Sequence, residues 1–215
     1  MGTSDQPASA ATATRRGYDS ALRRSHAEQT RAQILDAATR LFSERGWAVG
    51  MREIAAEADV SFETVYAKFG SKTKLFLTAF DVAVVGDDQP VALARRPEFA
   101  ALSAGDRHER AAAAAALATD IYGRTSGLHR ALREGASFDP DLASRLVEAR
   151  RRQRSDVRAA GEAVAGRRLD GDEAEGLWAV ISTEVYDLLV HDAGWTHARY
   201  REWLADATLR LLGPD

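Results

Sequence analysis

The chain has 215 residues, of which 45% are hydrophobic and 28% charged, and this composition excludes a fibrous protein or one disordered throughout. It contains no cysteine, which excludes disulfides and cysteine-based zinc or redox sites and fits the reducing cytoplasm. The net charge of −3 is unevenly spread: residues 1–80 carry 11 Lys and Arg against 9 Asp and Glu, and the remainder carries 18 against 23. The mildly basic first part is therefore the part able to face a polyanion.

No membrane-spanning or secretory segment is predicted from the sequence. The first 20 residues lack the continuous apolar core of a secretory signal, and the alanine-rich run at 111–119 is less than half of the roughly 20 residues that span a bilayer. We therefore expect no membrane contact and a cytoplasmic location. Residues 1–26 are predicted to form a flexible basic tail. Its arginines either reach a DNA minor groove or only solubilise the chain: Arg15, Arg16, Arg23 and Arg24.

Helical periodicity runs through the sequence and an alternating strand pattern is almost absent, so we predict an all-α fold. The first helix is predicted at about 28–44 and ends at Gly46. Helices two and three are predicted at about 51–58 and 62–69, with Ser61 as the N-cap of the third. A fourth helix begins near Ser71. The first helix carries one apolar stripe, formed by Ile34, Leu35, Ala38, Leu41 and Phe42.

The segment GDDQPVALARRP at 86–97 is rich in glycine, proline and aspartate, and it is the predicted domain junction. Beyond it, helices are predicted at about 106–125, 128–135, 139–166, 171–190 and 196–212, with breaks at Gly127, Gly135, Gly166 and the DAGW of 192–195. The alanine-rich run is interpreted as helix, with a low-complexity linker as the alternative. The chain is thus divided into a tail at 1–26, one domain at 27–80 and another at 81–215.

Residues 59–61 leave only a tight turn between the second and third helices. A helix enters the DNA major groove when a neighbouring helix braces it in this way. Helical spacing turns Val65 inwards and Glu63 and Ala67 outwards, with Thr64 beside the outward face. This pattern favours a recognition helix, although a solvated polar face has the same spacing.

The outward residues of the third helix have side chains suited to reading bases. Ala67 lets the backbone come close, Thr64 can bond a base edge or touch a thymine methyl, and Glu63 can accept a bond from a cytosine amino group. Tyr66 and Lys68 lie on the two flanks, where a groove-bound helix meets the phosphate strands.

The segments TRAQILDAATRLFSERGW at 30–47 and REIAAEADVSFETVYAKFGSKTKLF at 52–76 resemble the DNA-binding domain of the TetR family of bacterial transcriptional regulators. This resemblance implies a three-helix, helix-turn-helix domain over 27–80. The chain departs from the family pattern at Asp59, where glycine is usual, and at Glu63, where a small residue is common. It also lacks a Ser or Thr cap before the second helix. The implied DNA-contacting residues are Arg52, Ser61, Glu63, Thr64, Tyr66, Ala67, Lys68 and Lys72.

The ending VYDLLVHDAGWTHARYREWLADATLRLL at 185–212 resembles a branch of the same family. This implies a C-terminal helical bundle for ligand binding and dimerisation, with the last two long helices in a four-helix interface with a second copy. The predicted interface residues are Leu177, Val185, Leu188, Tyr200, Trp203, Leu204, Ala207 and Leu211. The candidates to line an effector pocket, each of which is otherwise plain core, are Tyr122, His129, Phe138, Trp178 and Tyr186.

The expectation is a homodimeric, sequence-specific transcriptional regulator, a repressor that leaves a palindromic double-stranded DNA operator when an unidentified small molecule binds. The alternative is a helical ligand-binding or partner-binding protein whose helix-turn-helix no longer reads DNA. An enzyme is not expected, because no phosphate loop, HExxH or Ser/His/Asp arrangement occurs, and no metal or cofactor is implied. The basic RRRQR at 150–154 is interpreted as an exposed helix face.

Overall fold

The computed structural model describes residues 9–85 and 101–214, and side chains within 24–84 and 101–214. These residues form helices and no strand, so the prediction of an all-α fold is confirmed. Short 3-10 turns occur at Gly46–Ala48 and Ala101–Ser103, and a π-helical turn at Asp187–Asp192 follows directly on α8. The helices are α1 (Ser9–Arg45), α2 (Met51–Glu57), α3 (Phe62–Phe69), α4 (Lys72–Val85), α5 (Arg107–Ala136), α6 (Pro140–Ala165), α7 (Gly171–Val180), α8 (Thr183–Tyr186) and α9 (His197–Leu211).

The first helix begins at Ser9, so the predicted start near residue 28 is wrong, and residues 9–26 of the predicted flexible tail are helical. The segment 9–22 is rich in alanine and arginine, which favour helix strongly. Residues 1–8 lie outside the described part, and so do the side chains of Arg15, Arg16 and Arg23. Their predicted contact with a minor groove therefore stays a prediction.

The predicted break at Gly127 is also wrong, because α5 is continuous from Arg107 to Ala136. A methyl group added at Gly127 would lie 2.6 Å from the backbone oxygen of Ser43. The glycine therefore marks the place where α5 crosses α1 at close range rather than the end of a helix.

The predicted helix at 171–190 is interrupted after Val180. Ser182 caps the following helix by accepting a hydrogen bond from the Val185 N–H at 3.2 Å. The Ile181 carbonyl at the break accepts a bond from the Tyr122 hydroxyl at 2.9 Å. A local cap and a buried tyrosine thus replace the continuous backbone ladder expected here.

The first hydrophobic core joins α1–α4 to the C-terminal third of α5 and the start of α6 through Leu128, Leu132 and Leu142. The predicted domain boundary at residue 80 falls inside α4, and Ala83 beyond it is buried in the same core. The helix-turn-helix region is therefore packed onto the C-terminal helices, and the boundary marks no separation in space.

A second core fills the bundle of α5–α9, with Tyr122, Val157, Leu177, Tyr186 and Tyr200 among its buried members. Helix α5 belongs to both cores, so it is shared between the two halves of the molecule. Among the described residues, no helix is long and apolar enough to cross a bilayer.

Candidate nucleic-acid interface

The turn between α2 and α3 is built on Asp59, whose φ of 53° lies in the left-handed region that favours glycine. The chain then returns to the end of α2, where the Val60 N–H donates to the Ala55 carbonyl at 3.0 Å. Asp59 therefore holds the conformation that the glycine usual in the TetR pattern adopts without strain.

Ser61 is the N-cap of α3, as the sequence predicted. Its side chain accepts a hydrogen bond from the Thr64 N–H at 3.1 Å, and its Oγ lies 2.9 Å from the Thr64 Oγ1. The hydroxyl of Thr64 is thus bonded within the protein and would exchange this partner on meeting a base.

Helix α3 has one buried and one exposed face. Val65 is fully buried and Phe69 is 8% exposed, while Glu63, Ala67 and Lys68 are exposed and Tyr66 is 57% exposed. The predicted orientation of this helix is therefore confirmed. The outward face carries a bulky aromatic flank, a small central residue and one charge of each sign, which suits entry into a groove.

One of the two predicted phosphate-binding lysines bonds α1, and the other bonds the 3-10 turn that follows α1. Lys68 Nζ donates to the Ala27 carbonyl at 3.0 Å. Lys72 Nζ donates to the Trp47 carbonyl and lies 4.1 Å from the centre of its ring. Burial lowers the pKa of the Lys72 ammonium. Lys72 is therefore more enclosed than the sequence suggested, and its contact with phosphate stays a prediction.

Arg52 lies on α2 with its guanidinium 4.7 Å from the centre of the Phe62 ring, which is itself 6.1 Å from the Tyr66 ring. Phe62 is half-buried and packs against the first core. The stack of Arg52, Phe62 and Tyr66 places a cation at the edge of the exposed face of α3.

No side chain caps the first turn of α2, but an acidic side chain that the sequence prediction overlooked bonds back to its N-cap residue, Gly50. Glu53 Oε2 accepts a hydrogen bond from the Gly50 N–H at 2.8 Å, and Arg45 pairs with the same carboxylate. These two contacts, in that order, lower the pKa of Glu53. The available signal was a glutamate three residues after the N-cap position Gly50, the spacing of the acidic member of a capping box.

The five predicted pocket residues do not come together. Tyr122 and Tyr186 are buried with ring centres 6.0 Å apart. Trp178 packs against the same core, but His129 lies 4.8 Å from the Phe80 ring in the first core. Phe138 is 84% exposed, so its prediction as a pocket residue is wrong. It lies in the short connection between α5 and α6.

Tyr200 joins Tyr122 and Tyr186 instead, with its ring 5.0 Å from that of Tyr186. Its hydroxyl and the Trp178 Nε1 are buried without a hydrogen-bond partner among the described residues. The Tyr186 hydroxyl lies 2.8 Å from His197 Nε2. Aromatic rings with polar tips are therefore gathered inside the second core.

The predicted dimer residues divide into three groups by exposure. Leu177, Tyr200 and Leu204 are fully buried inside one protomer, so their prediction as interface residues is wrong. The apolar stripes of α7 and α9 pack first against their own bundle. Leu188 and Leu211 are exposed, at 58% and 38%. The half-buried remainder is Val185, Trp203 and Ala207.

Residues 34–79 match the family model described as bacterial regulatory proteins, tetR family. A member of the TetR family from Streptomyces coelicolor A3 is similar in structure, with 24% identity, a TM-score of 0.55, and coverage of 83% of this chain and 97% of that one. A transcriptional regulator from Rhodococcus sp. Rha1 shows 20% identity and a TM-score of 0.58, covering 85% and 95%.

The multidrug binding protein EbrR in complex with imidazole shows 24% identity and a TM-score of 0.50, covering 83% of this chain and 89% of its own. The comparison with curated proteins finds no match. The solved structures therefore agree with the architecture over most of both chains, and the family match falls on α1–α4.

Proposed function

We propose that the chain, whose residues 34–79 match the tetR family of bacterial regulatory proteins, is a homodimeric repressor that a small-molecule effector releases from its operator. The observation that carries the proposal is α3, an eight-residue helix capped by Ser61 and buried through Val65 and Phe69. The opposite face of α3 is exposed, and α2 braces the helix across a tight turn.

In this proposal α3 enters the major groove and reads base edges with Glu63, Thr64 and Ala67. Ala67 brings the backbone close, and Thr64 gives up its bond to Ser61 for a base or a thymine methyl. Glu63 selects a cytosine amino group, because its carboxylate is repelled by phosphates and only accepts hydrogen bonds.

The flanks of α3 supply contacts to the DNA backbone. Arg52 and Tyr66 lie at one edge, where they are held together by Phe62. Lys68 and Lys72 carry positive charge towards the phosphate strands, and these contacts give affinity that falls with salt.

Dimerisation is supported by apolar side chains left exposed on the last helical elements. Leu188 in the π-helical turn and Leu211 at the end of α9 are large and exposed. A methyl group added at Gly176 of α7 would lie 3.6 Å from Leu211 Cδ2, so α7 and α9 run side by side at this point. A second copy docked on this face would bury these leucines and present two recognition helices to adjacent grooves.

Effector binding is supported by the polar atoms buried in the second core. The hydroxyl of Tyr200 and the Nε1 of Trp178 are donors whose burial without a partner is costly, and a ligand acceptor would relieve that cost. EbrR, which is similar in structure, is a multidrug binding protein. A ligand among these rings would favour one arrangement of the dimer over another.

The test is selection of bound DNA from a random pool at two salt concentrations. We expect enrichment of a palindrome whose half-sites lie about one helical turn, or a multiple of it, apart. The alternative function, binding of a ligand or protein partner with a helix-turn-helix that no longer reads DNA, is favoured by the charge of Glu63. A folded dimer that enriches no sequence would support it, and Glu63→Ala would then be the first variant to test.

A further inference from the structure

An open cleft of about 380 Å³ lies beside the recognition helix, between α1, α3 and α4. Phe69 and Leu77 form its apolar part, and Thr78 is bonded to its own helix through the Lys74 carbonyl at 2.8 Å. Its charged lining residues are Arg31, Lys68, Lys74 and Asp81.

The charge of this cleft is strongly positive. Asp81 is its single lining acid, and its carboxylate is already paired with Arg145 of α6. Arg31 lies 5.3 Å from the centre of the Phe69 ring, and Lys68 bonds only a backbone carbonyl in the described region. Neither Arg31 nor Lys74 is in an ion pair within the part of the chain that the structure describes. Among the described residues, three cations therefore line one opening with a single carboxylate, that of Asp81, which already pairs with Arg145.

The cleft continues directly from the exposed face of α3. Lys68 belongs to both, since it ends that face and lines the cleft. Lys72 points to the other side of α4, towards Trp47, so it does not share this opening. Arg31 and Lys74 extend the positive surface away from the groove-facing residues, on the Lys68 side.

We propose that this cleft binds a backbone phosphate of operator DNA lying outside the base pairs read by α3, with Arg31 and Lys74 as its ligands. The guanidinium of Arg31 presents paired N–H donors that fit the oxygens of a phosphate, and it lies near the Phe69 ring at the mouth of the cleft. Lys74 adds a point charge from the opposite wall. The inference rests on the proposed function and adds two DNA-backbone contacts to it.

The experiment measures operator affinity against salt for the full chain, using the selected palindrome. Arg31→Ala and Lys74→Ala should each lower the slope of log affinity against log salt by about 1 per bound protomer, and equally on related operators. Arg31→Lys should keep the slope, because the charge remains. The matched control is Arg152→Ala on α6, whose side chain is 60% exposed, pairs with Glu148 one turn earlier and does not line the cleft.

A second arm locates the phosphate on the DNA. Neutral methylphosphonate is placed at single backbone positions flanking the half-site. At one position the methylphosphonate should reduce the affinity of the wild-type chain as much as Arg31→Ala does on unmodified DNA. The Arg31→Ala chain should lose no further affinity on the modified DNA.

Unchanged slopes in folded variants would overturn the proposal, and so would a change of base preference at one position. Binding of inorganic pyrophosphate without DNA is measured by ³¹P spectra. If the variants lose this binding but keep the wild-type salt slope on DNA, the cleft belongs to a free phosphorylated ligand instead. If the wild-type chain bound no DNA at either salt concentration, the proposed function itself would fail. If the wild-type chain selects an operator but Arg31→Ala and Lys74→Ala have the wild-type salt slope, the proposed function stands and this inference fails.

Discussion

Gly127 offers a sharp test of how closely the helix-turn-helix region is joined to the C-terminal bundle. The change to make is Gly127→Ala. The added methyl would lie 2.6 Å from the Ser43 backbone oxygen and 2.7 Å from its Cα, whereas ordinary contacts begin near 3.4 Å. Because the opposing atoms are backbone, no rotation of a side chain relieves the overlap, and α1 and α5 must separate by several tenths of an ångström.

The expected size of the effect is a balance of two terms. Overpacking a close contact costs about 1–3 kcal/mol. Alanine inside a helix is favoured over glycine by about 1 kcal/mol. With rigid backbone on the other side, we expect the free energy of unfolding to fall by about 1–2 kcal/mol, which lowers Tm by about 2–8 °C in a chain of this size.

Gly123→Ala is the matched control, four residues earlier on the same helix. A methyl there would lie 3.5 Å from His197 and 3.6 Å from the Tyr186 hydroxyl, which are ordinary contacts. This variant should gain up to about 1 kcal/mol. Both are compared with the parent by thermal and urea unfolding at one protein concentration, because association would shift Tm. A Gly127→Ala protein as stable as Gly123→Ala would refute the close crossing.

Three further predictions concern the reading helix and the first core. Asp59→Gly should raise the free energy of unfolding by up to about 1 kcal/mol, because φ is positive there, and Asp59→Ala should lower it; thermal unfolding of both decides. Thr64→Ala should relax preference at one base pair by about 1–3 kcal/mol in competition binding, and an equal loss on all sequences would contradict base reading. Burial, followed by the charge of Arg133, lowers the pKa of His129 to about 4. Since the unfolded pKa is about 6.5, the unfolded state binds more protons below that value, so stability should decline from about pH 6.5 towards 4. The decline should be smaller in His129→Gln, and identical pH profiles of Tm would contradict it.

The reading helix was predictable from sequence because its determinants are local. Ser61 caps it, Val65 and Phe69 repeat at helical spacing, and residues 59–61 leave no room for a longer loop. The left-handed Asp59 was recognisable as a substitute for glycine. Each of these signals lies within ten residues of the structure it specifies.

The errors arose where the same local signal has two tertiary outcomes. A glycine such as Gly127 either ends a helix or admits a close neighbour, and only the position of α1 decides between them. The apolar stripe containing Leu177 and Leu204 marks a face that is buried, but it does not say whether its cover comes from the same chain or a second one. Phe138 has no periodic neighbours, so its exposure carried no sequence signal.

The shared helix α5 offers a route by which a ligand in the second core would change the position of the reading helix. Thirty residues of continuous helix span about 45 Å. Tyr122 lies on one side of α5, among the aromatic rings. Glu134, farther along, accepts the Trp47 N–H at 2.8 Å, beside the carbonyl that Lys72 bonds.

Arg130 makes a second connection on the same stretch of α5. Its guanidinium bonds Asp187 of the π-helical turn at 2.6 Å and approaches the Ser43 carbonyl of α1 at 3.4 Å. π-helical turns are a strained register that often marks a functional site. In the proposed mechanism, a ligand that displaces Tyr186 disturbs the turn that begins at the next residue, and Arg130 links that turn to α1. The packing of these rings would then set the distance between the two recognition helices of a dimer. A ligand that binds one packing better than the other would shift the dimer away from the spacing that fits the operator.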